Sequence, residues 1–182
     1  RVKANINILL TTYDKPFYKD FVLPVGRLRE SRQGKQRADV IILTKCPNIL
    51  SEDEKSKIIN NIKPNPHQSV LFSSIAYSDK VYSQNQVLKF KDFNDFQLIT
   101  GIANPKPLLN YLNQNGKTFG HQNFPDHHQF TTQELKNLED LHKPILTTEK
   151  DYIRLVDVLE KELFYLPIEV ELDKDLNLIL EN

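Results

Sequence analysis

Apolar residues in this chain fall in short runs, separated by charged stretches that carry helix-capping signatures. Ile6-Asn7-Ile8-Leu9-Leu10, ending in Thr11-Thr12, predicts a buried strand. Ala38-Asp39-Val40-Ile41-Ile42-Leu43-Thr44 has a β-branched run and predicts a second. A charged segment through Arg37 lies between them and is expected to be helical. Ser51-Glu52-Asp53-Glu54 has the spacing at which a serine hydroxyl and a glutamate cap each other's backbone. A helix is therefore expected to about Ile62, stopped by Pro64 and Pro66. Val70-Leu71-Phe72-Ser73-Ser74-Ile75 predicts the next strand. Strands alternating with helices argue for a parallel α/β sheet.

The pattern changes over residues 79–94, where Val81, Tyr82, Val87, Leu88 and Phe90 alternate with polar residues. Two short strands forming a linker are expected there. Phe96-Gln97-Leu98-Ile99-Thr100-Gly101 opens a new α/β run. Asn104-Pro105 predicts a cap followed by proline in the first helical position, with a helix from Pro107 to Asn115 and Gly116 as its terminating glycine. Lys117-Thr118-Phe119-Gly120-His121 predicts a short strand. Thr131-Thr132-Gln133-Glu134 is a second capping box, opening a helix to His142. A strand at Ile145 and a short helix over Val156–Leu163 follow. Phe164–Leu172 is expected as an edge strand, because Pro167 has no N–H for a central ladder. The tail Leu176–Leu180 is expected to pair back onto the linker. The expected domains are 1–78, the linker 79–94, a smaller α/β domain 95–163, and closing strands 164–182.

With 39% hydrophobic and 26% charged residues the composition is ordinary. The formal net charge is +0 and the pI about 7.1, so no global field draws in nucleic acid, and none is expected as a partner. No apolar run approaches the roughly 20 residues of a membrane-spanning helix. The single cysteine, Cys46, excludes an internal disulfide and reads as a small buried hydrophobe near a strand end. The chain contains no methionine and opens on Arg1-Val2-Lys3, which suggests a piece of something longer.

Candidate chemistry concentrates in Phe124-Pro125-Asp126-His127-His128-Gln129-Phe130, just before the capped helix. A helix start carries positive partial charge and free N–H groups that attract anions. Metal binding, phosphate or acid–base work, and simple loop capping all remain open for Asp126, His127 and His128. Adjacent histidines point apart, and no helical H-x-x-x-H pair is present. Thr147-Thr148-Glu149-Lys150-Asp151 follows an apolar run, at the position where ligands meet strand tips in α/β sheets. The aromatic, basic loop from Tyr13 to Gly26 either packs on the core or offers an amphipathic face to lipid. Arg27 and Arg29 are suited to phosphate, and Glu30 to a metal or to orienting a base. No G-x-x-x-x-G-K-[ST] phosphate loop occurs, and Gly116-Lys117-Thr118 is a helix end rather than a fragment of one.

Four segments taken in order resemble the tetraacyldisaccharide 4′-kinase family. They are Leu23-Pro24-Val25-Gly26-Arg27-Leu28-Arg29-Glu30, Leu98-Ile99-Thr100-Gly101-Ile102-Ala103-Asn104-Pro105, Phe124–Phe130 and Leu146-Thr147-Thr148-Glu149-Lys150-Asp151. The resemblance implies a truncated, parallel-sheet nucleotide domain of the phosphate-loop type. A smaller α/β/α sandwich would follow, joined by a short β linker. It implies transfer of the ATP γ-phosphate to the 4′-hydroxyl of tetraacyldisaccharide 1-phosphate at the cytoplasmic face of the bacterial inner membrane, as a peripheral protein using ATP and Mg2+. By resemblance His127 is catalytic and Asp126 orients it. Glu30, Glu149 and Lys150 lie near nucleotide and Mg2+, with Glu30 as a metal ligand. Phe17, Tyr18, Phe21, Arg27 and Arg29 form the lipid-substrate or membrane face. The family's phosphate loop and catalytic aspartate match nothing in this sequence, so the 182 residues alone are expected to be inactive. The alternatives are a non-catalytic nucleotide- or metal-binding α/β module and a peripheral membrane adaptor.

Overall fold

Two sheets, each with its own core, organise the computed structural model, which describes residues 6–126 and 128–176. They belong to two units, residues 6–76 with 169–176 and residues 77–168. In the first unit β1 (Ile8–Thr12), β2 (Val40–Cys46) and β3 (Ser69–Tyr77) run parallel in that order. β2 is central and buried on both faces, as its unbroken apolar run requires. α1 (Glu52–Ile62) starts on the expected capping box: Glu54 N–H donates to Ser51 Oγ at 3.3 Å and Ser51 N–H to Glu54 Oε2 at 3.1 Å. Ile62 packs with Ile41, Leu43 and Phe72.

One expectation for this unit holds and one is corrected. The charged segment before β2 is helical as expected, in the 3-10 form over Arg32–Arg37. It contains Gly34, which disfavours an extended helix. β1 is not a buried strand, since Ile8 and Leu10 are exposed, Leu10 by 63%. Among the described strands it has a single partner, β2.

The second unit has β4 (Lys80–Tyr82), β5 (Val87–Lys89), β6 (Phe96–Thr100), α2 (Lys106–Gln114), β7 (Phe119–Asn123), α3 (Thr132–Glu139), β8 (Ile145–Thr148), α4 (Glu149–Leu155) and β9 (Leu163–Leu166). The sheet order is β5-β4-β9-β8-β6-β7, with β9, β8, β6 and β7 parallel and β4 antiparallel to both its neighbours. The two strands expected as a linker are thus the antiparallel margin of this sheet. Leu108 and Leu112 of α2 pack with Phe96, Leu98, Leu146 and Phe164 on one face. Leu138 of α3 and Leu155 of α4 pack with Ile99, Ile145 and Leu163 on the other. Alternate residues of each strand point to opposite faces, so the unit is a three-layer sandwich. The fourth helix is not where the pattern placed it. α4 begins directly at the strand end, at Glu149, and residues 156–163 are turn and strand entry.

Phe164–Leu172 is not one edge strand. Pro167 cannot donate to a ladder, and the chain divides there. β9 lies inside the second sheet, and β10 (Ile168–Leu172) lies at the margin of the first, beside β3. Just beyond it, Asp173 fastens to β3: its N–H donates to Phe72 O, and its carboxylate accepts Phe72 N–H, both at 2.9 Å. Leu176 packs with Val40, Ile42 and Leu71 of the first sheet rather than on residues 79–94, and the remainder of the tail expected to pair there lies outside the described residues.

Candidate functional site

The carboxyl ends of β6, β7 and β8 gather three of the segments singled out in the sequence. β6 continues through α2 on one face, and β8 through α4 on the other. Between these neighbouring strands the connections diverge, which is the switch point where open α/β sheets bind ligands. Gly101 follows β6, Pro125–His128 follows β7, and Thr148–Asp151 follows β8.

The loop after β7 is fixed from several sides. Phe124 is buried and its N–H donates to Thr100 O at 2.7 Å. His128 stacks on Phe124, with ring centroids 4.8 Å apart, and meets Phe130 edge-on at 5.1 Å. Its Nε2 lies 3.1 Å from Glu134 Oε2. The same carboxylate oxygen accepts the Thr131 N–H at 2.7 Å, completing the α3 capping box as expected. His128 is therefore a packed, anchored ring. Asp126 forms an ion pair with Lys150 at 2.6 Å. His127 lies outside the described residues.

The sequence contains but does not reveal the role of α4. Thr148 caps it, accepting the Asp151 N–H at 3.2 Å. Asp151 is fully buried. Its Oδ2 accepts the Gly101 N–H and the Thr148 hydroxyl, both at 2.8 Å. Arg154 donates from Nη2 to the His128 carbonyl, while its Nη1 lies 3.6 Å from Asp151 Oδ1. That spacing suits an ion pair but exceeds a hydrogen bond, and both atoms are buried without hydrogen-bond partners. A Cβ on Gly101 would lie 2.9 Å from Asp151 Oδ1, so glycine is what lets the carboxylate approach the β6 end. Arg154 was missed. The signal for it was the T-x-x-D cap at Thr148–Asp151, followed by Arg154 one turn on.

Beside this cluster, Thr100 Oγ1 donates to Asn123 Oδ1 and contacts His121 Nε2, both at 2.8 Å. Burial pushes the His121 pKa down, favouring the neutral ring. Glu149 is exposed in the first turn of α4.

The remaining candidates lie in the first unit. Glu30 forms a bidentate ion pair with Arg37, its oxygens 2.5 and 2.6 Å from Nη2. Among the described residues no group of three or more His, Cys, Asp or Glu side chains forms a metal cage. A Mg2+ ion at Glu30 would therefore draw most of its ligands from outside such a cage, which suits Mg2+, an ion that commonly keeps water and phosphate oxygens. Arg27 pairs with Asp20 at 2.8 Å, and Arg29 is exposed. Phe17 and Tyr18 are half-buried against the core around Ile41 and Phe72. Phe21 is exposed and lies under the Arg32 guanidinium at 5.0 Å. Val22, Leu23 and Val25 extend that exposed apolar stretch. At the end of β2 the register shifts, and Lys45 takes a left-handed φ of 58°. A cavity of about 330 Å³ opens beside it, lined by Cys46, Lys55, Phe72 and Asp173. The Cys46 thiol is buried, and burial raises its pKa.

These features define an α/β protein whose candidate site lies at the carboxyl edge of a parallel sheet. The family model for tetraacyldisaccharide-1-P 4′-kinase matches residues 1–182. The chain belongs to that family. It is 40% identical over 174 residues to the tetraacyldisaccharide 4′-kinase of Flavobacterium johnsoniae, covering 92% of this chain and 50% of the relative. The enzyme of the same name from Bacteroides thetaiotaomicron is 36% identical over 196 residues, covering 94% and 52%. The chain spans about half the length of the curated relatives it matches. Its fold matches a crystal structure of LpxK from Aquifex aeolicus in complex with ATP, with a TM-score of 0.66 and 22% identity, over 97% of this chain and 51% of that one.

Proposed function

We propose that this chain forms part of a lipid A kinase that transfers the ATP γ-phosphate to the 4′-hydroxyl of tetraacyldisaccharide 1-phosphate. The first unit is then the remainder of a phosphate-loop-type nucleotide domain. The observation that carries the reading is the anchoring of Phe124, Asp126 and His128 at the switch point of the second sheet. Phosphoryl transfer depends mainly on positioning and charge neutralisation, and a rigid loop supplies positioning. ATP supplies the transferred group. His127 hydrogen-bonds phosphate or supports a carboxylate base contributed from outside these 182 residues, and Asp126 orients it. Glu149, exposed at the start of α4, stands at the nucleotide side, and Lys150 follows it in the chain with its side chain paired to Asp126. Glu30 is the residue that would hold Mg2+, and the ion would supply charge neutralisation on the phosphates.

The exposed stretch Phe21–Val25, with Lys19, Arg27, Arg29 and Arg32 near it in the chain, faces the acyl chains and anionic surface of the cytoplasmic leaflet. In the full-length protein, His127→Ala is expected to lower kcat about 100-fold while the ATP KM changes by less than about threefold. Steady-state kinetics check this, and a variant with normal kcat would remove His127 from the mechanism.

A further inference from the structure

From the geometry of α4 we infer that Lys150, Asp151 and Arg154 act as a positioning clamp. It holds the loop after β7 in the register its chemistry needs. This rests on the proposed kinase reading, in which that loop carries the reacting side chain.

Both residues flanking position 127 are tied to one helix. Lys150 holds the Asp126 carboxylate, and Arg154 holds the His128 carbonyl. That helix is in turn tied to the end of the adjacent strand through Asp151 and the Gly101 N–H. Three chain segments therefore share one anchor across the switch point. The anchor is costly to keep. A fully buried carboxylate faces a buried guanidinium nitrogen without a hydrogen bond between them, and apolar side chains would usually serve stability as well. Capping α4 needs only Thr148, and packing it needs only Tyr152 and Leu155. Neither explains an arginine aimed at a loop carbonyl. Holding that carbonyl while the neighbouring carboxylate is held from the other side does explain it. Arg154 touches no reacting atom in this arrangement and acts only through the loop.

The test uses the full-length protein with ATP and a tetraacyl disaccharide 1-phosphate. Arg154→Ala is expected to lower kcat about 10- to 100-fold, with the ATP KM within about threefold, because small misplacements of a reacting group carry penalties of that size. Amide hydrogen exchange across residues 124–131 should rise. Combined with His127→Ala, it should cost little beyond His127→Ala alone, since both remove one function. Losses that multiply, or a kcat within twofold of the parent, overturn the clamp. Lys150→Met guards against misfolding, because it leaves the buried pair intact and sits on an exposed side chain. It should lower kcat about tenfold and raise exchange at 124–128. A raised ATP KM with unchanged kcat would instead make Lys150 a nucleotide contact and overturn its place here. If His127→Ala leaves kcat unchanged, the kinase reading of the loop fails. Exchange then decides the clamp by itself, and unaltered uptake over 124–131 in Arg154→Ala refutes it.

Discussion

Glu134 shows how much one oxygen can organise. Its Oε2 takes the Thr131 N–H, the Thr131 hydroxyl and the His128 ring, so the start of α3 and the end of the loop share an acceptor. The Thr131 N–H, followed by His128 and the Thr131 hydroxyl, holds the Glu134 carboxyl below its ordinary value of 4.5. A depressed carboxylate stabilises the fold above its unfolded pKa, and that contribution fades as pH falls through the folded value. Urea unfolding of Glu134→Gln should therefore show a shallower loss of stability below about pH 4.5 than the parent. Thr131→Ala should cost about 1 kcal/mol at neutral pH, as lost N-caps usually do. Equal acid slopes for Glu134→Gln and the parent would separate the carboxylate from the fold's acid sensitivity.

Elements with strong local grammar were readable from sequence, and those defined by distant partners were not. α1 and α3 begin on capping boxes, and the structure reproduces both starts. α4 was displaced because Thr147–Asp151 reads as a polar strand tip, although Thr148-x-x-Asp151 is itself a cap. Its apolar positions Tyr152 and Leu155, three apart, carry the helical spacing that would have placed it. The exposed face of β1 was hidden, because a continuous apolar run looks the same whether one or two layers cover it. The loop was legible as a cluster of chemical groups, but its anchoring by Arg154 depends on contacts 26 residues apart. The segment Phe21–Val25 is the opposite case. Its exposure is local, Val25 reaching 81%, and its proposed role is testable as a segment. Sedimentation with phosphatidylglycerol vesicles should show Val25→Asp binding at least about fivefold more weakly than the full-length parent, since a buried charge and a lost apolar contact both act against insertion. Equal binding would take this segment off the membrane.

At the scale of the molecule, the pattern gave alternating strands and helices but not the path between sheets. The chain leaves the first unit after residue 76 and returns at residue 169, so the second unit is an uninterrupted insertion within a discontinuous one. Near its two ends, the Ser78 N–H donates to Pro167 O at 3.0 Å, which closes the inserted segment on itself. Residues 77–168 expressed alone should melt cooperatively in calorimetry, because adjacent ends make such insertions separable. A broad, non-cooperative transition would show that the second core needs the rest of the chain. The split at Pro167 also sets an order of events during synthesis. Growing chains usually complete their domains from the N-terminus onward. Here the second sheet has all its strands once residue 166 has emerged from the ribosome, whereas the first still awaits β10. The unit that begins first is finished last, and until then its β3 margin stands open inside the cell.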